Sequence, residues 1–575
     1  MVTVLLLLTL AQADFVDFIR WRNEGGHSDL DPAVLCDSCS SAVEALHWVV
    51  QNDTNVQDYV EGLIVDVCSW VMEPAVCSGL VYTFADIVID TVGNRYLTPD
   101  VVCWKLHMCP SPPFILTNLT AVIDDILADT PPVQPLPPPG NDTWKVLHVT
   151  DIHVDLLYQE GSNMDCSYPM CCRSSLGNTT DPILQAGYWG SLASCDVPQR
   201  TVEAFMQQAA SMDVDLILWT GDNPAHDVWA FNRETHLQQS QVLTDMFLQY
   251  FPHTPMYPIM GNHACYPEDQ YHLGHEQWLT EGLADMWPAW LSPEAQATQA
   301  DNAYWSMKDP LTGLRILAIN SMMCDNLNFW LVLNSTDPGN HLVWLREQLL
   351  LAEAAEEKVF ILGHIPTGDV FCASEWAEVY RAIVNRFQNT IRGQFFGHTH
   401  QDQVQVVTSL TGQSTPAGVL YISPSFTTFS NQNPVFRVFE LDKSTLQLTN
   451  YHSYQLDLSV ANQNPAQTPT FTEAYDARSE YALPDLSPAS WERMAKAMQA
   501  GNTTLLDRYW EHFYSAFNAV PECSESCQKM LWCGAQTSVL NEWIDCAGIS
   551  TSNVAFYLLE QLLGPWEVPT TLSYA

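Results

Sequence analysis

Short apolar runs alternate with amphipathic stretches through the central part of the chain. Five of the runs are continuous and rich in β-branched or aromatic residues, which is typical of buried strands. They cover residues 145–150, 214–219, 256–260, 358–362 and 394–396. Between them, residues 200–211 and 341–357 carry apolar side chains at helical spacing. This alternation predicts an α/β domain of layered sheets flanked by helices, which we place at residues 141–462.

The pattern changes on both sides of this domain. Upstream, residues 42–50 and 59–67 have apolar positions at helical spacing, so residues 32–113 are predicted to form an all-α domain. Residues 114–140 form a linker that ends in TPPVQPLPPPG, a stretch that favours an extended polyproline II spacer. Downstream, residues 463–575 are predicted to form a helical subdomain.

The chain contains 17 cysteines, which is typical of an oxidising compartment. Six of them lie in the predicted N-terminal domain: Cys36, Cys39, Cys68, Cys77, Cys103 and Cys109. The C-x-x-C at Cys36 and Cys39 could also bind a metal. Because no second C-x-x-C follows, we favour disulfides, and the cysteine spacing alone leaves their pairing open.

The first residues predict secretion. Residues 1–13 (MVTVLLLLTLAQA) form a short apolar stretch with an Ala-x-Ala end, as in a signal peptide. We expect no further run to be long and apolar enough to span a bilayer. N-x-S/T sequons begin at Asn52, Asn118, Asn141, Asn178, Asn334 and Asn502. Together these features predict a glycosylated protein that is secreted, lysosomal or both.

The chain is strongly acidic. Asp and Glu number 66 against 22 Lys and Arg, so the formal net charge is −44 at pH 7. Phosphate backbones repel such a polyanion, which excludes nucleic acid as a partner. Protonation of carboxylates and of the 17 histidines would relax the self-repulsion, and this favours an acidic compartment.

Each of the five strand-like runs is followed by side chains that can bind metals. Open α/β sheets place their ligands at the carboxyl ends of strands, so these side chains are expected to meet. Nitrogen and oxygen donors without thiolate suit a pair of divalent metals. In chain order the motifs are D-x-H from Asp151, G-D ending at Asp222, G-N-H around Asn262, G-H ending at His364 and G-H-x-H around His398.

This order of motifs resembles the calcineurin-like metallophosphoesterases. The resemblance implies one metal held by Asp151, His153, Asp222 and His400, and a second held by Asp222, Asn262, His364 and His398. A water that bridges two such ions loses a proton readily and would attack phosphorus. Ala225 stands where purple acid phosphatases have an iron-binding tyrosine. We therefore expect two zinc ions, with manganese and iron left open.

A closer resemblance, to the acid sphingomyelinases, extends over nearly the whole chain. It rests on GDNPAHDVW, NFWLVLNSTDPG, GHIPTG and QFFGHTH, and on the order of the domains. It implies hydrolysis of sphingomyelin to ceramide and phosphocholine, and a saposin B-type fold for residues 32–113. An amphipathic helical module of this kind would make peripheral contact with a membrane and give access to its lipid.

The same resemblance implies a set of disulfides and leaves one cysteine over. Cys265 is that cysteine, and we interpret it as a buried thiol rather than a redox switch. The implied pairs are Cys36–Cys109, Cys39–Cys103, Cys68–Cys77, Cys166–Cys171, Cys172–Cys195, Cys324–Cys372, Cys523–Cys527 and Cys533–Cys546.

The leaving oxygen of a phosphodiester needs a proton, and histidine is the usual donor. His263 matches the proton donor of the G-N-H motif, and His226 fits the narrower acid sphingomyelinase pattern. If a protonated histidine is the acid, activity falls as the pH rises above its pKa. We therefore expect an acidic optimum.

These inferences predict a monomeric acid phosphodiesterase with a membrane sphingolipid as substrate. One alternative is an acid sphingomyelinase-like phosphodiesterase that acts on soluble nucleotides or other phosphodiesters. The resemblance implies that those enzymes lack the saposin-like module. A second alternative is a lipid-binding glycoprotein with an inactive catalytic domain, but every implied metal ligand is present in this sequence.

Overall fold

The computed structural model describes residues 32–52, 54–69, 72–96, 98, 119–333, 335–411, 415–515 and 522–549. The chain divides into two compact units, with the boundary at Thr117 and Asn118 and with residues 228–230 grouped with the first unit. The predicted signal peptide at residues 1–13 lies outside the described residues.

The described part of the N-terminal unit is helical, as the apolar spacing predicts. It contains α1 (Pro32–Asn52), α2 (Thr54–Cys68) and α3 (Pro74–Tyr96). A disulfide between Cys68 and Cys77 joins α2 to α3. Within α3, Pro74–Thr91 is long and apolar enough to cross a bilayer, which the sequence analysis did not expect. A single helix of this kind is weak support for a membrane span, because core helices of soluble domains have the same length and composition.

The described part of the second unit contains 14 strands and 13 α-helices. The strands are β1 (Thr143–Val149), β2 (Val154–Asp155), β3 (Val197–Pro198), β4 (Leu216–Trp219), β5 (Met256–Pro258), β6 (Trp305–Lys308), β7 (Arg315–Ala318), β8 (Val359–Leu362), β9 (Ile391–Phe396), β10 (Gln403–Thr408), β11 (Pro416–Ile422), β12 (Val435–Asp442), β13 (Leu448–Gln455) and β14 (Thr472–Asp476). The helices are α4 (Leu119–Leu127), α5 (Gln199–Ala210), α6 (Arg233–Tyr250), α7 (Gln277–Met286), α8 (Pro293–Asn302), α9 (His341–Ala354), α10 (Ser374–Arg386), α11 (Leu458–Ala461), α12 (Ala477–Glu480), α13 (Pro488–Gln499), α14 (Thr503–Phe513), α15 (Glu525–Gln536) and α16 (Leu540–Ala547).

Two six-stranded sheets carry the fold. The first has the strand order β14-β13-β12-β1-β4-β5, and the second has the order β10-β11-β9-β8-β7-β6. Strands β1, β4 and β5 are parallel to one another, and so are β7, β8 and β9. Their carboxyl ends therefore lie on one edge of each sheet, where the predicted site residues follow them. This is the layered α/β architecture that the sequence predicts.

Burial on both faces explains why the central strands read as continuous apolar runs. In β4, Leu216 and Leu218 join the hydrophobic core that the second sheet shares, while Ile217 and Trp219 face a second core under α5 and α6. Successive side chains of a strand point to opposite faces, so a strand covered on both sides needs apolar residues at every position.

A buried ion pair ties the two sheets together. Arg437 of β12 is fully buried, pairs with the carboxylate of Asp402, and donates from Nη1 to the carbonyl oxygen of Ile422 in β11 at 2.9 Å. The Tyr475 hydroxyl donates to the other carboxylate oxygen of Asp402. Each charged group is therefore neutralised by partners from a different part of the fold.

Removing the Arg437 charge should destabilise the protein strongly. Arg437→Met leaves Asp402 as an unpaired buried carboxylate, and the expected loss is about 3–5 kcal/mol in the free energy of unfolding. Urea unfolding with the disulfides intact measures this loss. The double variant R437M/D402N removes both charges and should recover part of it. A loss below about 1 kcal/mol for the single variant would show that the pair contributes little.

The predicted linker is more structured than the sequence suggests. Its first part contains α4, whose Ile126 is buried in the main core of the second unit. Its proline-rich part has no helix or strand from residue 130 to residue 140, as expected. Yet Asn389 bonds the carbonyl of Pro132 and the amide of Gln134, so this stretch is fixed to the second unit.

The C-terminal region is helical and disulfide-bonded, but it also completes the first sheet. Strand β14 pairs with β13 in antiparallel fashion, which the helical pattern after residue 463 did not predict. Trp491 and Met494 of α13 are buried in the main core. This region therefore belongs to the same compact unit as the two sheets.

Six disulfides link described residues, and each is a pair that the resemblance implied. Such bonds fit an extracellular or lysosomal protein. They are Cys68–Cys77, Cys166–Cys171, Cys172–Cys195, Cys324–Cys372, Cys523–Cys527 and Cys533–Cys546. The two other implied pairs include Cys103 and Cys109, which lie outside the described residues. Cys265 has a free, buried thiol, and burial raises the pKa of that thiol well above its usual range.

Candidate metal centre

The motif residues gather where the two sheets present the carboxyl ends of their parallel strands. Asp151, Asp222 and Asn262 follow β1, β4 and β5 of the first sheet. His364 and the His398–His400 pair follow β8 and β9 of the second sheet. Backbone bonds join the loops, including Asp151 N–H to the carbonyl of Gly221 at 3.1 Å and Gly397 N–H to the carbonyl of His364 at 3.0 Å.

Five of these residues have left-handed backbone conformations. Non-glycine residues rarely adopt positive φ, and strain of this kind collects at functional sites. The residues and their φ angles are Asp151 (50°), His153 (40°), Asp222 (55°), His398 (71°) and His400 (62°). The fold therefore keeps these five residues in an unfavourable backbone conformation, which directs their side chains toward the same site.

Two motif glycines are required by close packing at the centre. A Cβ atom on Gly261 would overlap the carboxylate of Asp222. A Cβ atom on Gly397 would overlap the hydroxyl of Thr150 and crowd the carboxylate of Asp151. The glycines in G-N-H and G-H-x-H therefore let one loop pass against the carboxylate of the next.

One cluster of potential ligand atoms is formed by Asp151, His153 and His400. His400 Nε2 lies 3.6 Å from Asp151 Oδ1 and 3.3 Å from His153 Nε2. The same His153 nitrogen lies 3.5 Å from Asp222 Oδ2. Three of these residues are fully buried or nearly so, and His400 is 7% exposed.

A second cluster is formed by Asp222, His364 and His398. His364 Nε2 lies 3.0 Å from Asp222 Oδ2 and 2.9 Å from Asn262 Oδ1. His398 Nδ1 lies 3.0 Å from the same Asn262 oxygen. Asp222 thus borders both clusters, which is the position of a bridging carboxylate.

The opposite ring nitrogens fix how the imidazoles face the centre. His153 Nδ1 donates to the carbonyl of Pro224 at 2.6 Å, and His364 Nδ1 donates to the carbonyl of Thr220 at 2.7 Å. His400 Nδ1 bonds the Ser430 hydroxyl at 2.9 Å. A nitrogen that donates to a carbonyl leaves the other nitrogen as a lone pair, and ligating histidines are held in this way.

The Nε2 atoms of His153, His364 and His400 all lie within 3.6 Å of a carboxylate oxygen of Asp151 or Asp222, so the cluster fits cations. Burial raises the pKa of Asp222, but positive charge on the protonated imidazoles of His364 and His263 outweighs burial and leaves the pKa well below its usual range. Burial also raises the pKa of Asp151, but the hydrogen bond with His153 and the charge of His364 outweigh burial and lower this pKa to about 2. The His and Asp clusters, with their nitrogen and oxygen donors, imply a dinuclear site for divalent metals.

The two histidines predicted as proton donors lie beside these clusters. His153, His226 and His263 have ring nitrogens within 4.8 Å of one another. His263 Nε2 pairs with Glu268 Oε1 at 2.6 Å, and its backbone N–H donates to Asp222 Oδ1 at 3.0 Å. Burial lowers the pKa of His263, but Glu268 and Asp222 outweigh burial and raise the pKa to about 9.

His226 is held from two sides. Its Nδ1 lies 2.8 Å from Asp196 Oδ1, its backbone N–H donates to Asp196 Oδ2 at 2.7 Å, and its ring stacks on Phe429 at 3.9 Å. Burial, together with His153 and other imidazoles, lowers the pKa of His226 well below its usual range. Burial raises the pKa of Asp196 to about 7.

Sequence reasoning did not find Asp196, Glu268 or Asp269, although each contacts a predicted site residue. None of the three belongs to a motif, and none follows one of the five strands directly. Glu268 and Asp269 come soon after G-N-H, but an acidic pair in a loop is ordinarily a solvated turn.

The predicted glycosylation sites are accessible where the structure describes them. Asn52, Asn141, Asn178 and Asn502 are exposed. The two other sequon residues, Asn118 and Asn334, lie outside the described residues. Glycosylation of these four residues stays a prediction, and their exposure is compatible with it.

The fold and the paired donor clusters define a metallophosphoesterase of the calcineurin-like class. The sequence matches the Calcineurin-like phosphoesterase family over residues 145–402. It also matches the Acid sphingomyelin phosphodiesterase C-terminal region over residues 415–552.

Relatives that match most of this chain identify its family within this class. Sphingomyelin phosphodiesterase B from Dictyostelium discoideum is 32% identical over 543 residues, which cover 92% of this chain and 83% of that protein. Sphingomyelin phosphodiesterase from Homo sapiens is 32% identical and covers 87% of this chain and 80% of that protein. A cyclic GMP-AMP phosphodiesterase from Homo sapiens is 27% identical, covering 71% of this chain and 91% of that protein. The chain belongs to the acid sphingomyelinase family and is a phosphodiesterase.

Proposed function

We propose that this protein hydrolyses sphingomyelin to ceramide and phosphocholine. The observation that carries the proposal is the complete donor set at the sheet edges, in a chain that matches sphingomyelin phosphodiesterases over about nine-tenths of its length. A lipid-binding protein with an inactive catalytic domain would not need to keep five strained residues converging on one point.

We assign the ligands as the family resemblance implies. Asp151, His153, Asp222 and His400 would hold one ion, and Asp222, Asn262, His364 and His398 would hold the other. Zinc suits this mixture of imidazole, amide and carboxylate donors. Bound divalent ions supply an activated water and offset the negative charge of the phosphate.

The protein's own residues supply proton transfer. A pKa of about 9 keeps His263 protonated at acidic pH, and Glu268 accepts from its Nε2–H, so the proton on Nδ1 is the one that can pass to the ceramide oxygen as the ester bond breaks. His226 stands beside it, and its Nε2 can donate a hydrogen bond to a phosphate oxygen. Phe429 and Asp196 fix the plane and rotation of the His226 ring.

The Asp196–His226 pair predicts a loss of activity above neutral pH. Below a pKa of about 7, Asp196 is protonated and donates to His226 Nδ1, which leaves the histidine proton on Nε2. Above that pKa, the ionised Asp196 accepts from Nδ1–H and Nε2 loses its proton. Because the folded pKa is raised, the active form is present at pH 5 and is lost as the pH rises through about 7.

A pH–rate profile of sphingomyelin turnover measures this expectation. Asp196→Asn does not titrate, so its profile should be flatter between pH 6 and pH 8. Its rate at pH 5 should stay within about threefold of the wild type, since the asparagine amide nitrogen can donate to His226 Nδ1 as the protonated carboxyl does. A wild-type optimum above neutral pH would contradict the assignment.

We further propose that residues 32–113 form a saposin-like module that brings the catalytic unit to a membrane. The helices of this unit have apolar residues at helical spacing, and Trp48 and Tyr82 are exposed. The relatives that hydrolyse cyclic GMP-AMP align with a smaller part of this chain than the sphingomyelin phosphodiesterases do. A secreted or lysosomal monomer with a peripheral membrane contact fits these features and the disulfides.

A variant that lacks residues 1–113 tests whether the module serves access to the lipid rather than catalysis itself. We expect phosphocholine release from sphingomyelin liposomes to fall at least about tenfold, since access to a bilayer surface is lost. Turnover of a soluble p-nitrophenyl phosphodiester should stay within about twofold of the full chain. Equal losses on both substrates would indicate that the N-terminal unit is a structural cap.

The identity of the substrate is tested with the full-length protein. Its kcat/KM values at pH 5 are compared for sphingomyelin liposomes, ATP and cyclic GMP-AMP. The proposal predicts the largest value for sphingomyelin. Hydrolysis of the nucleotides without phosphocholine release would favour the second candidate, a soluble-nucleotide phosphodiesterase, for which the cyclic GMP-AMP phosphodiesterase is the precedent.

A further inference from the structure

Two adjacent acidic residues contact two adjacent residues of the metal centre. Glu268 and Asp269 lie in the loop that follows the G-N-H motif, and the loop folds back over Asn262 and His263. The backbone supports this return, since Asp269 N–H donates to the carbonyl of Asn262 at 3.4 Å. Each acidic side chain therefore meets a different member of the motif.

Asp269 determines which end of the Asn262 amide faces the centre. Asn262 Nδ2 donates to Asp269 Oδ1 at 2.9 Å, on the side away from the metal clusters. Asn262 Oδ1 is consequently directed at His364 Nε2 and His398 Nδ1, 2.9 and 3.0 Å away. An amide turned the other way would present an NH₂ group, which has no lone pair for a metal.

Asp269 is itself rigidly placed. It is 6% exposed, has a left-handed φ of 62°, and lies against the fully buried carboxyl of Asp325. Asp325 accepts from the backbone N–H of Leu327 at 2.8 Å, so the second carboxyl is also fixed. Burying a carboxyl group costs free energy unless the group is hydrogen-bonded, so Asp269 needs specific partners at this position.

Glu268 sets the orientation of the His263 ring. Its Oε1 lies 2.6 Å from His263 Nε2, and both side chains are largely buried, at 17% and 9% exposed. The backbone N–H of His263 is bound to Asp222 Oδ1, so the residue is held at two points. The ring can then turn only by breaking a short bond in a poorly solvated site.

We propose that Glu268 and Asp269 form an acidic clamp in which Asp269 positions Asn262 for metal binding and Glu268 positions His263 toward the leaving group. The clamp rests on the proposed two-metal mechanism and adds two positioning residues to it. The two halves have separable consequences, because only Asn262 is a proposed ligand. Loss of Asp269 weakens metal binding, whereas loss of Glu268 leaves the metals bound and impairs leaving-group departure.

The Asp269 half is tested by metal content of the full-length protein after dialysis against buffered zinc. Asp269→Ala should bind one of the two ions about 10–100-fold more weakly than the wild type. Asp269→Asn keeps an oxygen that can accept from Asn262 Nδ2 and should restore binding. Circular dichroism confirms that each variant is folded. Wild-type zinc affinity in a folded D269A protein would overturn this half.

The Glu268 half is tested by the dependence on the leaving group. Glu268→Ala should lower the turnover of sphingomyelin, whose alkoxide needs a proton, at least about tenfold. Turnover of p-nitrophenylphosphocholine, whose phenolate leaves readily, should change by less than about threefold. Glu281→Gln removes an exposed carboxylate nearby in sequence and serves as the control. Equal losses on both substrates, or loss of zinc, would overturn the role of Glu268.

Failure of the clamp differs from failure of the proposed function. Wild-type protein that binds two metals without releasing phosphocholine would contradict the substrate, and the zinc affinity of D269A would still decide the clamp. Active wild-type protein with unaffected D269A and E268A variants would contradict the clamp alone.

Discussion

Asp222→Asn is expected to lower sphingomyelin turnover about 10⁴-fold. Asp222 borders both donor clusters, and its low pKa keeps it ionised at pH 5. An asparagine has one ligating oxygen, because its amide nitrogen offers no lone pair, so it cannot join two ions. Losing one ion removes several kcal/mol of stabilisation of the transition state, and each 1.36 kcal/mol is about tenfold in rate.

Metal analysis makes this prediction specific. The D222N protein should retain about one zinc or less per chain where the wild type retains two. Asp124→Asn, at an exposed position of α4, provides a control with the same change of charge. Wild-type turnover, or an inactive D222N protein with two bound zinc ions, would contradict a bridging role.

His263→Gln is expected to lower turnover about 10²–10⁴-fold, the usual contribution of a general acid. Glutamine can fill much of the space of the ring and accept or donate hydrogen bonds, but it has no acidic proton to transfer. Metal content should be unchanged, because His263 is not a proposed ligand. This separates His263 from Asp222, whose replacement affects both quantities.

The leaving group provides the check on His263. A p-nitrophenyl phosphodiester needs little proton transfer, so H263Q should lose far less activity on it than on sphingomyelin. A variant that is equally slow on both substrates would indicate that His263 acts on the phosphate or the metals instead of the leaving oxygen.

Sequence reasoning could propose a candidate site because the potential donors follow apolar strands. A strand buried on both faces is visible as a continuous apolar run, as in β4, and the polar residue after it marks the sheet edge. Local order in the chain was therefore enough to place Asp222 and His364 at strand ends. The family resemblance supplied their assignment to two clusters.

Other features depend on contacts between distant segments and could not be read from the chain. The approach of Gly261 to Asp222 and the bond between Asp196 and His226 join residues from separate loops. The left-handed backbone of His398 likewise follows from packing rather than from propensity. The proline-rich stretch was predicted as a spacer because composition does not show that Asn389 anchors it.

The dinuclear mechanism is tested most directly by phosphocholine release from sphingomyelin liposomes at pH 5 during a zinc titration of metal-stripped protein. We expect no release without metal and a rise in release as the second zinc equivalent binds. Release that is undiminished without metal would contradict the dinuclear mechanism. ATP hydrolysis with no phosphocholine at any zinc concentration would contradict the lipid substrate.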